Sequence, residues 1–569
     1  MKFFLISVLF SFHINVSAQS PYEEPVNIPP YDPNNPDMFL ITSDSDWSHI
    51  NDPAIHYFYV QPGDYSNAGL QQDDHAVVLT ASGTASQMRY ICLYNGNDLH
   101  PGKLDTTELA KVGLILRNAD YWVVDRMAFW NSPDGRIPVI FENASHNILN
   151  RYFIYNVAGG LAYIFSGSNN VIQNCRAERD DPFVNLDRAA IALDGEPGDS
   201  IVNTHIVNNE IYNFVDGFQA VKGNPNGIYN YAGTVVDHNL FFIDSLIYTD
   251  CNGHPDPQGN CAYAENGIDL KSGSEDASNP FLVTGNVLWG FRQADETDSD
   301  LDDVGSAIVC HYNVNNTIIS GNVIFNSTRG MTVEGAVNGA AMRNSEFIRN
   351  ILYGIRNISI KIYDTHHFYF EHNLNKETGL DFPPGYYSNW LTFIDSDSIF
   401  VRYNLSVNTH DNNGVRVDNS TVYPYANGYY NSLSGDIQNH TDTLYSTDPT
   451  ATYDDFVTVF HRFTNHPDTL IIPRVMMPGL AILEQNPPQY FRIYPNPAHK
   501  KIFILAEQPL TQPVKVRIFD MSGKEVLSQK VPPGKIVFEI HLRNLKPGPY
   551  LLQTLGKKKV GMQRLIIEP

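Results

Sequence analysis

Positive charge is scarce in this chain: 38 Lys+Arg stand against 62 Asp+Glu in 569 residues, a formal net charge of −24. That balance argues against nucleic acid as the default partner, which would need a basic surface. Charged residues are few altogether, at 18%, whereas 42% are hydrophobic and 12% aromatic, so wholesale disorder is excluded. Cysteine is rarer still. The five present include no Cys-x-x-Cys pair and no Cys/His zinc spacing. No apolar run beyond the N-terminal residues is long enough to span a bilayer. Gly-x-Ser-x-Gly, phosphate-loop and dinucleotide motifs are lacking as well. What is plentiful is Gly (39), Pro (35), Tyr (32) and Phe (31), a mixture that suits many turns and strands better than helical bundles. The length exceeds what one compact core organises, so several domains or an elongated repeat are expected.

The N-terminus combines Lys2, an apolar run from Phe3 to Phe12 and the small residues Ser17-Ala18, which predicts a signal peptide over 1–18. An extension follows over 19–50. Cys251 and Cys261 flank a turn-rich loop that a disulfide would close, and Cys310 lies in an apolar strand and is expected in the core. Charge then marks a boundary near the C-terminus. From Phe491 onward there are 14 Lys+Arg against 5 Asp+Glu, a net of +9, which leaves −33 on the remainder. Short apolar strands alternate there with Ser522-Gly523 and Pro547-Gly548, the pattern of a small antiparallel sandwich. Tyr494-Pro495-Asn496-Pro497-Ala498, Asp520-Met521-Ser522-Gly523-Lys524, Pro547-Gly548-Pro549-Tyr550 and Arg564-Leu565-Ile566-Ile567 resemble the C-terminal sorting domain of type IX secretion. The resemblance covers 490–569. It implies handling by the type IX secretion machinery and a secreted or outer-surface location.

The middle repeats. Apolar segments recur around an asparagine, as in Leu282-Val283-Thr284-Gly285-Asn286-Val287-Leu288 and Ile318-Ile319-Ser320-Gly321-Asn322-Val323-Ile324. From Asn286 the steps to Asn322, Asn350, Asn373 and Asn404 are 36, 28, 23 and 31 residues. Units this short bury an apolar face only by stacking on one another. Asparagine tolerates left-handed backbone, and its amide can bond to the same amide one coil away, so it suits a sharp corner. The pattern resembles the right-handed parallel β-helix of the pectate-lyase-like superfamily. The fold class read from the sequence is therefore all-β: a right-handed parallel β-helix over 51–435, an end cap and linker over 436–489, and the sandwich.

Each asparagine segment is preceded by a further strand. Strand period two sends alternate residues inward, which leaves Asp194, Val221, Lys271, His311, Glu334 and Lys361 in one outward row, with Asp269 on the same face. Ala264-Glu265-Asn266-Gly267-Ile268-Asp269-Leu270-Lys271-Ser272-Gly273 resembles the strand carrying the basic lysine of calcium-dependent pectate lyases. The resemblance implies β-elimination on a uronic-acid polymer, with Lys271 as general base. His311 and Arg329, in or near the same row, are expected to assist, His311 either by its positive charge or as the acid that protonates the leaving oxygen. Asp269, Arg292, Glu334 and Asp194 are the expected substrate contacts. The base must remove the proton beside the uronate carboxylate, and a nearby cation must stabilise the charge that develops. A lysine serves as that base only if its pKa is lowered.

Asp295-Glu296-Thr297-Asp298-Ser299-Asp300-Leu301-Asp302-Asp303 places six carboxylates in nine residues. Asp298, Asp300, Asp302 and Asp303 make it a candidate Ca²⁺ site, since hard oxygen ligands at alternating positions suit that ion. A solvated acidic loop is the alternative. Trp289, Tyr312 and Tyr363 suit either sugar stacking or packing on the coil. The chain is expected to be monomeric, with an acidic polysaccharide as partner. Two other classes remain open: a non-catalytic glycan-binding or adhesive surface protein, and an inverting polysaccharide hydrolase.

Overall fold

In the computed structural model, the described residues are 26–66, 76–94, 108–132, 135–179, 188–196, 201–221, 230–243, 265–291, 305–336, 342–376, 378, 390–407, 414–430, 436 and 443–445, with 491–494, 501–506, 514–520, 524–532, 537–542, 545–546, 548–555 and 560–567 of the C-terminal part. The predicted signal peptide and the Cys251/Cys261 loop lie outside them.

The chain winds through three parallel sheets. The first runs from Met38–Ile41 to Val422–Tyr425 and the second from Gly63–Asp64 to Thr443–Tyr445. The third runs from Val77–Leu79 to Val415–Asp418. One coil passes through the third, first and second sheets in that order, as in Asp216–Ala220, Val235–Asp237 and Leu240–Phe242, before Asn266–Ser272 re-enters the third sheet beside the strand it left. This is a parallel β-helix. The long strand Ser306–Asn315 pairs with Arg329–Ala336 in the third sheet and with Met342–Ile348 in the first, so these two sheets join into one of 26 strands. The second sheet has 14 strands.

Alternation builds the core. In the third sheet, Ile268, Ile308, Met331, Ile360 and Leu391 face inward in register across five coils, and each is 0% exposed. Cys310 lies between Leu270 and Val333 in the next inward column, fully buried as expected, and Cys92 and Cys175 are also buried free thiols. Burial of such side chains stabilises by roughly 1.5–3 kcal/mol each, which a single coil cannot accumulate.

At the corner between the first and second sheets, Asn209, Asn239, Asn286, Asn322, Asn350, Asn373, Asn404 and Asn427 form a buried ladder. Each backbone N–H and each side-chain amide donates to the side-chain oxygen of the next asparagine, at 2.9–3.2 Å. The left-handed residue is not the ladder asparagine but the one before it: Asn208, His238, Gly285, Gly321, Arg349, His372, Tyr403 and Ala426 have φ between 52° and 65°. The corner thus divides two tasks that the sequence suggested were one. The preceding residue turns the chain, and the asparagine satisfies the backbone groups that the turn leaves unpaired.

The C-terminal part is antiparallel. Phe491–Tyr494, Lys501–Ala506 and Val537–His541 form a three-stranded sheet. Glu525–Val531, Val514–Asp520, Gly548–Leu555 and Val560–Ile567 form a four-stranded one. Ile502, Ile504, Val516, Ile518, Leu552 and Leu565 share its apolar core.

Candidate functional site

The outward row of the third sheet centres on Asn266–Ser272. Its approach to the neighbouring coil is close: a Cβ on Gly267 would meet the Ala307 carbonyl at 2.7 Å, so this strand tolerates no side chain just before Ile268. Ile268 and Leu270 turn inward, which leaves Asp269 and Lys271 on the outer side. The next strand carries His311 and the one after it Glu334, paired directly with His311. A register shift at His311/Tyr312, with Tyr312 at φ 59°, ends the regular ladder there and sets the Tyr312 ring 5.6 Å from that of His311.

These side chains converge on one carboxylate. Asp269 is 2% exposed. Its Oδ2 lies 3.3 Å from Lys271 Nζ and accepts a 2.6 Å hydrogen bond from Gln219 Nε2. Its Oδ1 is buried without a hydrogen-bond partner and faces His311 Nε2 at 3.6 Å. His311 Nδ1 lies 3.9 Å from Glu334 Oε1 on the other side. Both imidazole contacts are ion-pair distances, longer than hydrogen bonds. Burial pulls the Lys271 pKa down, but the Asp269 carboxylate, with smaller contributions from Asp216 and Tyr312, outweighs it and holds the ammonium above its ordinary value. Lys271 is therefore a cation at neutral pH, whereas a lysine base needs the opposite shift.

Other expected residues fall elsewhere. Arg329 opens its strand, buried at 2% exposure and paired with Ser306, five residues from Glu334. Strand rise puts the two about 17 Å apart along the sheet. Asp194 occupies the outward position that follows Leu193, with its backbone N–H bonded to the Ile164 carbonyl. Arg292 and the acidic stretch, with Asp298, Asp300, Asp302 and Asp303, lie outside the described residues. In sequence the stretch precedes Ser306–Asn315, the strand that carries His311. Among the described residues, no group of three or more His, Cys, Asp or Glu is arranged to hold a metal ion.

Lys361 departs from the expected row. It pairs with Thr332, in the column of Asp269, so the outward neighbour beyond Glu334 is Tyr363, with Lys361 Nζ 5.1 Å over its ring. Trp289 belongs to the second sheet, against Phe242 at 4.0 Å, and so shares no face with Lys271. Gln219 and Asp216 were missed. Gln219 holds the second position of Phe218-Gln219-Ala220-Val221, equivalent to Asp269, and following that column as well as the fourth would have found it.

Residues 492–568 match the family described as the secretion system C-terminal sorting domain. This domain marks the protein for export, to the medium or the cell surface, and no helix among the described residues is long and apolar enough to cross a membrane. No curated protein matches the chain. Among solved structures, the chain is similar to a GH136 lacto-N-biosidase from Eubacterium ramulus, at 12% identity over 65% of this chain and 62% of that one, with a TM-score of 0.34. It thus spans less than two thirds of that enzyme. It is also similar to PfbA, a surface adhesin of Streptococcus pneumoniae, at 11% identity over 68% of this chain and 85% of that one, with a TM-score of 0.32. The Dettilon tailspike protein is a third, at 9% identity over 91% and 81%, with a TM-score of 0.37.

Proposed function

We propose that this exported β-helix protein, acting as a monomer, cleaves a uronic-acid-containing polysaccharide by β-elimination at the Asp269–Lys271–His311–Glu334 cluster. The observation that carries the reading is the buried Asp269 carboxylate shared between a lysine and a histidine on the outer side of the sheet. The likeness of 264–273 to the lysine strand of pectate lyases supports the same chemistry.

The raised Lys271 pKa alters the roles expected from that likeness. Lys271, as an ammonium, neutralises the substrate carboxylate and the charge that grows on it. His311 takes the C5 proton. The electron pair left behind forms the C4–C5 double bond, the C4–O bond breaks, and water supplies the proton to the leaving oxygen. Asp269 positions both side chains, and Gln219 fixes Asp269. Tyr363 offers a ring one coil beyond Glu334 for a neighbouring sugar. Calcium belongs to the proposal only through the acidic stretch, where Asp298, Asp300, Asp302 and Asp303 would hold it. A binding-only surface protein is the second reading, favoured by the same ion pair, since lysine–aspartate contacts on sheets are commonly structural.

The test is to incubate the mature chain with a panel of uronate polymers, with and without a chelator, and follow the ultraviolet absorbance of unsaturated ends. Absorbance that falls about 10²–10⁴-fold in His311→Ala supports elimination through the imidazole. Reducing ends without that absorbance would indicate a hydrolase, and retained binding without cleavage an adhesive protein. Activity unchanged by the chelator removes calcium from the reading.

A further inference from the structure

The outer face of the first sheet is occupied differently at its two ends. At the early coils the chain covers it: Val26 packs against the cluster of Val123, Ile148, Val171 and Val207, and the Tyr59 hydroxyl donates to the Pro29 carbonyl at 2.5 Å. At the late coils, register stacks Glu346, Tyr369, Phe400 and Tyr423 in one outward column, with Glu371, Arg402 and Tyr425 in the next. Tyr403, Tyr423 and Tyr425 are 37%, 50% and 46% exposed, and these three are the exposed large hydrophobic side chains among the described residues. All belong to this one patch.

The patch is rigid. Tyr369 and Phe400 stack at 4.9 Å and 11°, Phe400 and Tyr423 at 5.2 Å and 20°, and His372 and Tyr403 at 5.0 Å and 10°. Tyr425 meets Tyr403 edge-on at 5.5 Å. The Arg402 guanidinium lies 4.9 Å over Phe400 and pairs with Glu371. Rings held this way lose little freedom when a ligand arrives.

The chemistry selects the occupant. A sugar ring presents a C–H face and a hydroxyl rim, and the patch answers with aromatic rings bearing hydroxyl tips beside carboxylates and a guanidinium. Exposed aliphatic side chains, which a protein core or a membrane would favour, are not what the patch offers. The Arg402–Glu371 pair cancels its own charge, so the patch has no strong pull on a polyanion. Burial raises the Glu346 and Glu371 pKa values, Glu371 raises that of Glu346 further, and Arg402 offsets part of the rise in Glu371. Their carboxylate oxygens can accept hydrogen bonds from sugar hydroxyls. Coils repeat every ~4.8 Å, so a polymer laid along the axis meets the patch at successive positions.

We propose that the late coils of the first sheet form a saccharide-binding surface for an uncharged, hydroxyl-rich glycan chain, with Tyr403, Tyr423 and Tyr425 as its stacking platform. The surface lies on a different sheet from Lys271 and does not rest on the elimination chemistry.

Affinity electrophoresis of the mature chain through gels containing mixed-linkage β-glucan, xylan, dextran or polygalacturonate tests it. Retardation by a neutral glycan is expected. It should weaken roughly ten-fold or more in Tyr423→Ala/Tyr425→Ala, with thermal melting reported alongside, and less in Tyr423→Phe, which keeps the ring. The proposal is overturned if no neutral glycan retards the chain, or if the double variant is retarded like the parent. Retardation by polygalacturonate alone overturns the neutral assignment. A dimer in solution that dissociates in Tyr425→Ala would assign the face to a second copy instead.

Discussion

At the scale of single residues, Asp269 organises the third-sheet cluster. Its raised-pKa partner gives a signed expectation. The Lys271 pKa lies above its ordinary 10.5, so the ion pair contributes fully below that value and is lost as pH rises through the folded pKa. The stability gap between parent and Lys271→Met should stay constant from pH 6 to 9 and close above pH 10.5, as read from urea unfolding. Glu346 shares this sign, but its substitution has the opposite effect. A carboxyl whose pKa is raised favours the fold below its ordinary value and loses that contribution as pH rises through the folded one. Glu346→Gln should therefore raise the melting temperature at pH 8 and change it little at pH 4. Much of this cluster was legible, because Ile268-Asp269-Leu270-Lys271 and Ile308-Val309-Cys310-His311 alternate cleanly and period two decides which side faces out. Lys361 was not. Ile358-Ser359-Ile360-Lys361-Ile362 alternates so regularly that a slip of two residues leaves every side chain on its proper face. Pairing alone fixes the row, and pairing is not written in one strand. The direction of the Lys271 pKa comes mainly from Asp269, two residues away in the same strand and visible in the sequence, while the smaller contribution of Asp216 needs the pairing with the coil before.

At the scale of elements, the asparagine ladder is the most legible feature, because its spacing of coils can be counted. The steps of 36, 28, 23 and 31 residues are the sequence separations of consecutive ladder bonds. What the count could not give was the division of labour at the corner, as glycine, histidine, arginine and tyrosine share the left-handed position and no residue type marks it. Asn322 accepts from Asn286 and donates both to Asn350 and to the Val283 carbonyl. Asn322→Ala leaves the buried backbone N–H and amide of Asn286 and the Val283 carbonyl, all of the preceding coil, without their partner, takes one of two donors from Asn350, and should cost about 1–3 kcal/mol, measured as a lower urea midpoint. Asn322→Asp should also destabilise, since it removes the two donors and keeps the acceptor.

At the scale of the whole molecule, the net charge of −24 is the sum of −33 over residues 1–490 and +9 from Phe491 onward. The C-terminal part is also the part with the family match. A chain ending before residue 491 should accumulate inside the cell envelope instead of reaching the surface or medium, as fractionation and immunoblotting would read. The β-helix itself has a further property. Because Asn350 donates to Asn373, and Asn373 to Asn404, through the same pair of bonds, any ladder position is interchangeable with the next as a joining point. Excising residues 351–373 would bring Asn350 against Asn404 with the inward columns still continuous. The molecule is in this sense a tape measured in coils, whose length can change by whole units while every remaining turn keeps a neighbour of the same kind.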